Sequence, residues 1–119
     1  MEVQVFGTHK SQDTRSALRF FSERRVKVHF VDLRERPASR GELARFAQRF
    51  GVTALIDTRS ARYHELGLAS GRYSDDRWLE LLCDEPLTLQ QPLARFGAKL
   101  TIGPAQAEWQ AWVDAEKSA

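Results

Sequence analysis

Val3-Gln4-Val5-Phe6-Gly7-Thr8-His9-Lys10-Ser11-Gln12-Asp13-Thr14-Arg15 passes from one kind of local structure to another within a few residues. Apolar and polar side chains alternate over residues 2–6, the period of a half-buried strand. A short polar loop follows. Ser11 then opens a helical pattern that continues through Ala17, Leu18 and Phe21, and serine is a preferred helix N-cap. The helix is predicted over residues 12–24, ending in Arg24-Arg25, where positive charge suits the negative end of the helix dipole. A helix start offers unpaired N–H groups and a positive dipole end, which would favour a thiolate. A serine hydroxyl gains little from them, because without an adjacent base it stays protonated near neutral pH.

Working outward, Val26, Val28 and Phe30 alternate with Lys27 and His29, which predicts a second strand with His29 as a covered residue on the opposite sheet face. Asp32 to Pro37 reads as a charged loop. Ser39-x-x-Glu42 is a capping box, followed by Leu43, Phe46, Ala47 and Phe50 at helical spacing and by Gly51 as a C-terminal cap. A short helix is predicted from Ala61 to Leu66, stopping at Gly67. Another starts from Ser74 as N-cap and carries Trp78, Leu81 and Leu82 inward. After Pro86 the pattern returns to strands: Leu93-Ala94-Arg95, a turn at Phe96-Gly97-Ala98, and Lys99 to Ile102. Gly103-Pro104 opens a last helix with Trp109, Trp112 and Val113 on one face.

This order of strand, helix, strand, helical block, two strands and helix predicts an α/β chain. The expected fold is thioredoxin-like: a mixed four-stranded sheet with helices on both faces and a helical insertion over about residues 38–85. The 119 residues are expected to form a single domain. Eighteen Lys and Arg against 16 Asp and Glu give a net charge of +2, which gives no reason to expect direct nucleic-acid binding. Apolar runs are short, so no membrane span is expected, and a soluble, cytoplasmic protein is the default. Arg34, Glu35, Arg36, Arg40, Arg45 and Arg49 form a charge-rich stretch that reads as a solvated face.

Cys83 is the single cysteine, so no intramolecular disulfide is possible. Cys83, His9, His29 and His64 do not fall at metal-ligand spacing, and neither a metal nor a cofactor is expected. Cys83 ends the apolar pattern of its helix and reads as a small half-buried core residue. The alternative, a reactive thiol, remains open.

The chain resembles the arsenate reductase-like family that includes the glutaredoxin-dependent arsenate reductases and the Spx transcription regulators. The carriers are Val5-Phe6-Gly7, Ser11-x-x-Thr14-Arg15, Pro37-x-Ser39-Arg40-x-Glu42-Leu43 and Ala54-Leu55-Ile56-Asp57-Thr58-Arg59-Ser60. Tyr63-x-Glu65-Leu66-Gly67-Leu68, Pro86-Leu87, Gln91-Pro92-Leu93 and Ile102-Gly103 leading to Glu108-Trp109 continue the series. By this resemblance the family's nucleophilic cysteine falls on Ser11, and the second cysteine of the Spx-type Cys-x-x-Cys falls on Thr14. Pro92 takes the place of the family's usually cis proline, and Gln91 stands where the reductases carry an oxyanion-holding arginine. The other reductase arginines fall near Asp57 and Gly103, while Arg59 matches the Thr-Arg-Ser segment of the Spx-like branch.

The resemblance therefore implies a family member without its redox cysteine, a non-catalytic protein-binding or regulatory module. Its Spx-like version docks on RNA polymerase near Gly51, a residue that reads equally as a helix cap. The alternatives are a glutaredoxin-dependent arsenate reductase-type oxidoreductase and a weak oxyanion sensor. For the sensor, Lys10, Ser11, Gln12, Asp13 and Arg15, with Arg59 nearby, are the anion-binding candidates. Ser11 as a plain N-cap is the simpler alternative.

Overall fold

The strand β1 (Glu2–Gly7) is paired along both edges in the computed structural model, which describes residues 1–118. On one side it runs parallel to β2 (Lys27–Asp32), in register from Glu2 opposite Lys27 to Gly7 opposite Asp32. A parallel pair needs a crossover, and α1 (Gln12–Glu23) supplies it. On the other side β1 runs antiparallel to β3 (Leu93–Phe96), which forms a hairpin with β4 (Lys99–Ile102) through a two-residue turn at Gly97 and Ala98. The sheet order is β2-β1-β3-β4, and α5 (Gln106–Ser118) follows. The expected mixed four-stranded sheet is what the chain forms.

By its contacts the chain divides into two compact units, Met1–Asp32 with the segment from Gln91 onward, and Leu33–Gln90. The core of the first unit lies on one face of the sheet. Val3 and Val5 of β1 and Ala94 of β3 pack with Ala17, Phe20 and Phe21 of α1 and with Trp109, Trp112 and Val113 of α5. Phe20, Phe21 and Trp109 form a ring cluster with centroids 5.3–5.7 Å apart. The indole N–H of Trp109 donates to Thr101 Oγ1 at 2.8 Å, so the tryptophan is buried without losing a hydrogen bond. Phe20 is buried and Leu18 only partly so, which shifts the apolar stripe of α1 by two residues from the expected Leu18. His29 is exposed rather than covered, on the edge strand β2 of the sheet.

Arg24-Arg25 does more than place charge at a helix end. Arg25 N–H donates to Ser22 O and Val26 N–H to Phe21 O, both at 3.0 Å, which is the double bond of a Schellman cap. Arg25 sits at the left-handed position of this motif with φ 58°, where glycine is the usual residue.

The second unit, Leu33–Gln90, is helical. It contains α2 (Arg40–Phe50), a 3-10 turn over Val52–Leu55, α3 (Ala61–Glu65), a 3-10 turn over Leu68–Ser70, α4 (Asp75–Asp84) and a 3-10 turn over Pro86–Thr88. Leu43, Phe46, Leu55, Leu68, Leu79, Leu82 and Leu89 are buried. On α4 the buried pair is Leu79 and Leu82, whereas Trp78 is half-buried against Tyr73 with ring centroids 5.0 Å apart. Phe50, expected on the apolar stripe of α2, is 43% exposed at the helix end. The chain closes on itself where Asp57 N–H donates to Thr88 O and Gln90 N–H to Leu55 O, both at 2.8 Å. Of the charge-rich stretch, Arg40 reaches Asp76 at 2.8 Å and Arg36 grips Glu42 with two bonds of 3.2 Å.

The capping box forms in full: Ser39 Oγ accepts from Glu42 N–H at 3.1 Å, and the Glu42 carboxylate accepts from Ser39 N–H at 2.9 Å. Partial burial of Glu42 opposes ionisation, but the hydrogen bonds from Arg36 and Ser39 outweigh it and hold the carboxyl below its ordinary range.

Two stability changes are expected. Arg25→Gly should raise stability by about 1 kcal/mol by removing the left-handed penalty, read as a higher urea midpoint at unchanged slope. Glu42→Gln should lower stability by about 0.5–1 kcal/mol at neutral pH. The folded value of Glu42 is depressed, so its contribution is complete above the unfolded value near ~4.3 and fades as pH falls through the folded one. Melting curves of the two proteins should therefore converge in acid.

Candidate functional site

The β1–α1 loop begins where the chain leaves the sheet at Gly7. A Cβ there would lie 2.6 Å from Thr14 Cγ2, so only glycine lets the first turn of α1 fold back against the strand end. Ser11 N–H donates to Thr8 O at 3.1 Å, which tightens the loop, and Arg15 N–H donates to Ser11 O at 3.0 Å, which starts the helix. Ser11 has extended backbone angles, and its Oγ accepts from Thr14 N–H at 3.1 Å. It is an N-cap, with its side chain committed to the helix.

Gln91 meets this loop from the segment before β3. The Gln91–Pro92 peptide bond is cis, Pro92 is buried, and Pro92 O accepts from Gly103 N–H at 2.8 Å. Gln91 Oε1 accepts from Thr8 N–H at 2.7 Å, from Thr8 Oγ1 at 3.1 Å and from Thr14 Oγ1 at 3.3 Å. Thr8 is 3% exposed and Thr14 is fully buried. An amide carbonyl has two lone pairs, so the three donors crowd a single acceptor and the longest contact is the weakest.

The remaining loop side chains are mostly exposed. Lys10, Gln12 and Asp13 are exposed, and Arg15 donates through Nη1 to His9 O at 2.7 Å. The His9 ring packs on Phe30, centroids 4.9 Å apart. N–H groups of the first helical turn, those of Gln12 and Asp13 among them, have no acceptor within the helix and can meet an anion. The Asp13 carboxylate opposes one.

Lys10, Ser11, Gln12, Asp13 and Arg15 thus share one loop and helix start. Arg59 and Gly51 belong to the other unit. Arg59 is exposed, and its N–H donates to Asp57 Oδ1 at 3.0 Å within a turn that leads into α3. Gly51 is exposed with φ 84°, and its N–H donates to Ala47 O at 2.8 Å as α2 ends. Cys83 is partly buried on α4. Burial pushes its thiol up from the ordinary range, with the Asp84 carboxylate adding to the effect. Sequence reasoning treated Gln91 as a lost charge and passed over Thr8. The amide alone shows only that a charged donor is replaced by a neutral group that can also accept; its partner 83 positions away is visible only in the structure.

The fold has counterparts among known proteins. The chain belongs to the ArsC family, whose match extends over residues 6–112. It is 27% identical over 107 residues to the uncharacterized protein YusI of Bacillus subtilis, covering 87% of this chain and 91% of that one. It is 24% identical over 105 residues to an arsenate reductase of Neisseria meningitidis, covering 86% and 90%. The solved structure of an arsenate reductase from Vibrio cholerae shares the fold with a TM-score of 0.80 at 21% identity, over 93% of this chain and 97% of that one.

Ser11→Ala should cost about 1 kcal/mol through loss of the cap, and Ser11→Gly only a few tenths. Urea titration of the three proteins side by side checks the ranking.

Proposed function

We propose that this ArsC-family chain is a non-catalytic member that keeps the scaffold and acts through protein contacts. The observation that carries the reading is the commitment of Ser11 Oγ to Thr14 N–H at the position where the resemblance expects a thiolate. Reduction of arsenate to arsenite needs two electrons, and a thiolate can bond arsenic and then leave as half of a disulfide. A hydroxyl has no such oxidation step to offer, and among the described residues no base is bonded to Ser11 Oγ to make it a nucleophile. Thr14 carries no thiol either, and the burial-raised pKa of Cys83 disfavours a reactive role for the one that exists.

The more specific version is an Spx-like regulator that contacts RNA polymerase through the surface around Gly51, where the exposed Phe50 ring adds an apolar anchor. Retained oxyanion binding at the Ser11 loop, millimolar at most, is compatible with it. A second reading is an arsenate reductase-type oxidoreductase, which the names of the relatives favour and which would have to draw its electrons through Cys83.

A glutaredoxin- or thioredoxin-coupled assay separates the two: arsenate-dependent turnover above a heat-killed control would overturn the proposal, and none is expected. Ser11→Cys should create a thiol with a pKa below the ordinary ~8.5, because it gains the helix start and the Lys10 charge. The same variant should not turn over arsenate while Gln91 remains. Binding to RNA polymerase of the source cell, weakened by Phe50→Ala, tests the regulatory version.

A further inference from the structure

We propose that Gln91 is an internal occupant of the β1–α1 loop, its amide oxygen filling a hole walled by Thr8 and Thr14 and keeping oxyanions out. This deepens the reading above, resting on it only in treating the loop as a place that meets ligands rather than one that carries a thiol. Three donors converge on the one oxygen at 2.7, 3.1 and 3.3 Å, and both threonines that supply them are buried. Buried donors need an acceptor, and Gln91 serves all three at once.

Two opposed effects decide whether the occupant gives way. Gln91 is tethered, with its neighbour Pro92 held through Gly103, so its oxygen meets the donors at a high effective concentration that a free ligand must exceed. Its amide is uncharged, however, which favours a charged competitor. An oxyanion entering in its place would make charge-assisted bonds to the same donors, which are the stronger kind. It would gain from Lys10 and contend with Asp13, while the Arg15 guanidinium is already bonded to His9 O. The residue at position 91 therefore sets whether the hole holds an amide oxygen of the chain or one oxygen of a phosphate-like ion.

Inorganic phosphate is titrated into wild-type protein, Gln91→Ala and Gln91→Met while the amide signals of Thr8 and Thr14 are followed by NMR. Methionine preserves side-chain length without the strong acceptor, guarding against a collapse specific to alanine. Both variants should bind phosphate at least about tenfold more tightly than the wild type, with the Thr8 amide moving most. Hydrogen exchange at Thr8 N–H should accelerate in both before phosphate is added, with Val5 N–H unchanged. Affinities equal to or weaker than wild type in folded variants would overturn the proposal. So would loss of the β1 signals in both, since Gln91 would then be holding the fold rather than guarding the loop. Every readout is binding or exchange, so failure here leaves the absence of turnover, and its own test, untouched.

Discussion

The close approach of Thr14 to Gly7 sets the geometry of the first unit. Strand β1 is bonded along both edges, and its last residue has no space for a Cβ because the first turn of α1 lies against it. This contact fixes the entry of α1, which in turn lays Ala17, Phe20 and Phe21 over the sheet beside Trp109. It also brings the Thr14 hydroxyl to the same oxygen as the Thr8 N–H, so packing of the strand end and geometry of the loop are one arrangement. A side chain at position 7 would disturb the core, the cap and the loop together.

Several side chains of the resulting loop are spent on bonds within it. Ser11 spends its oxygen on Thr14 N–H, Gln91 spends its carbonyl on Thr8 and Thr14, and Arg15 spends one donor on His9 O. A reaction centre of the thiol type keeps an unsatisfied, charged atom at such a place and uses the surrounding donors to hold it ionised. Here the donors are turned to stability instead. The same groups that would activate a thiolate can therefore serve as ordinary capping and loop bonds.

Much of the fold was legible because periodicity and caps point the same way. Val3 and Val5 alternate, Ser39 and Glu42 sit three apart, and Ser74 precedes its helix, so local chemistry and global order agree. The mistakes fall where the outcome depends on neighbours in space. Phe50 and Trp78 fit a helical stripe by spacing but lie at its end or edge. His29 alternates correctly yet stands on an edge strand, a property of sheet order that the strand's own residues do not carry. Ser11 was readable as a cap from its local motif. Gln91 was not readable as the partner of Thr8, because the two are 83 positions apart and no pattern links a lone glutamine to a lone threonine.

The single thiol of the sequence, on α4, has a use unrelated to catalysis. With one cysteine in the sequence, a maleimide or a spin label attaches at a single place, partly buried among the helices of the Leu33–Gln90 unit. Partial burial and the raised pKa of the thiol both disfavour attack from the folded state, so labelling should quicken when that unit opens. The rate of labelling is thus a built-in clock for local opening of the helical unit, and it runs without altering a residue.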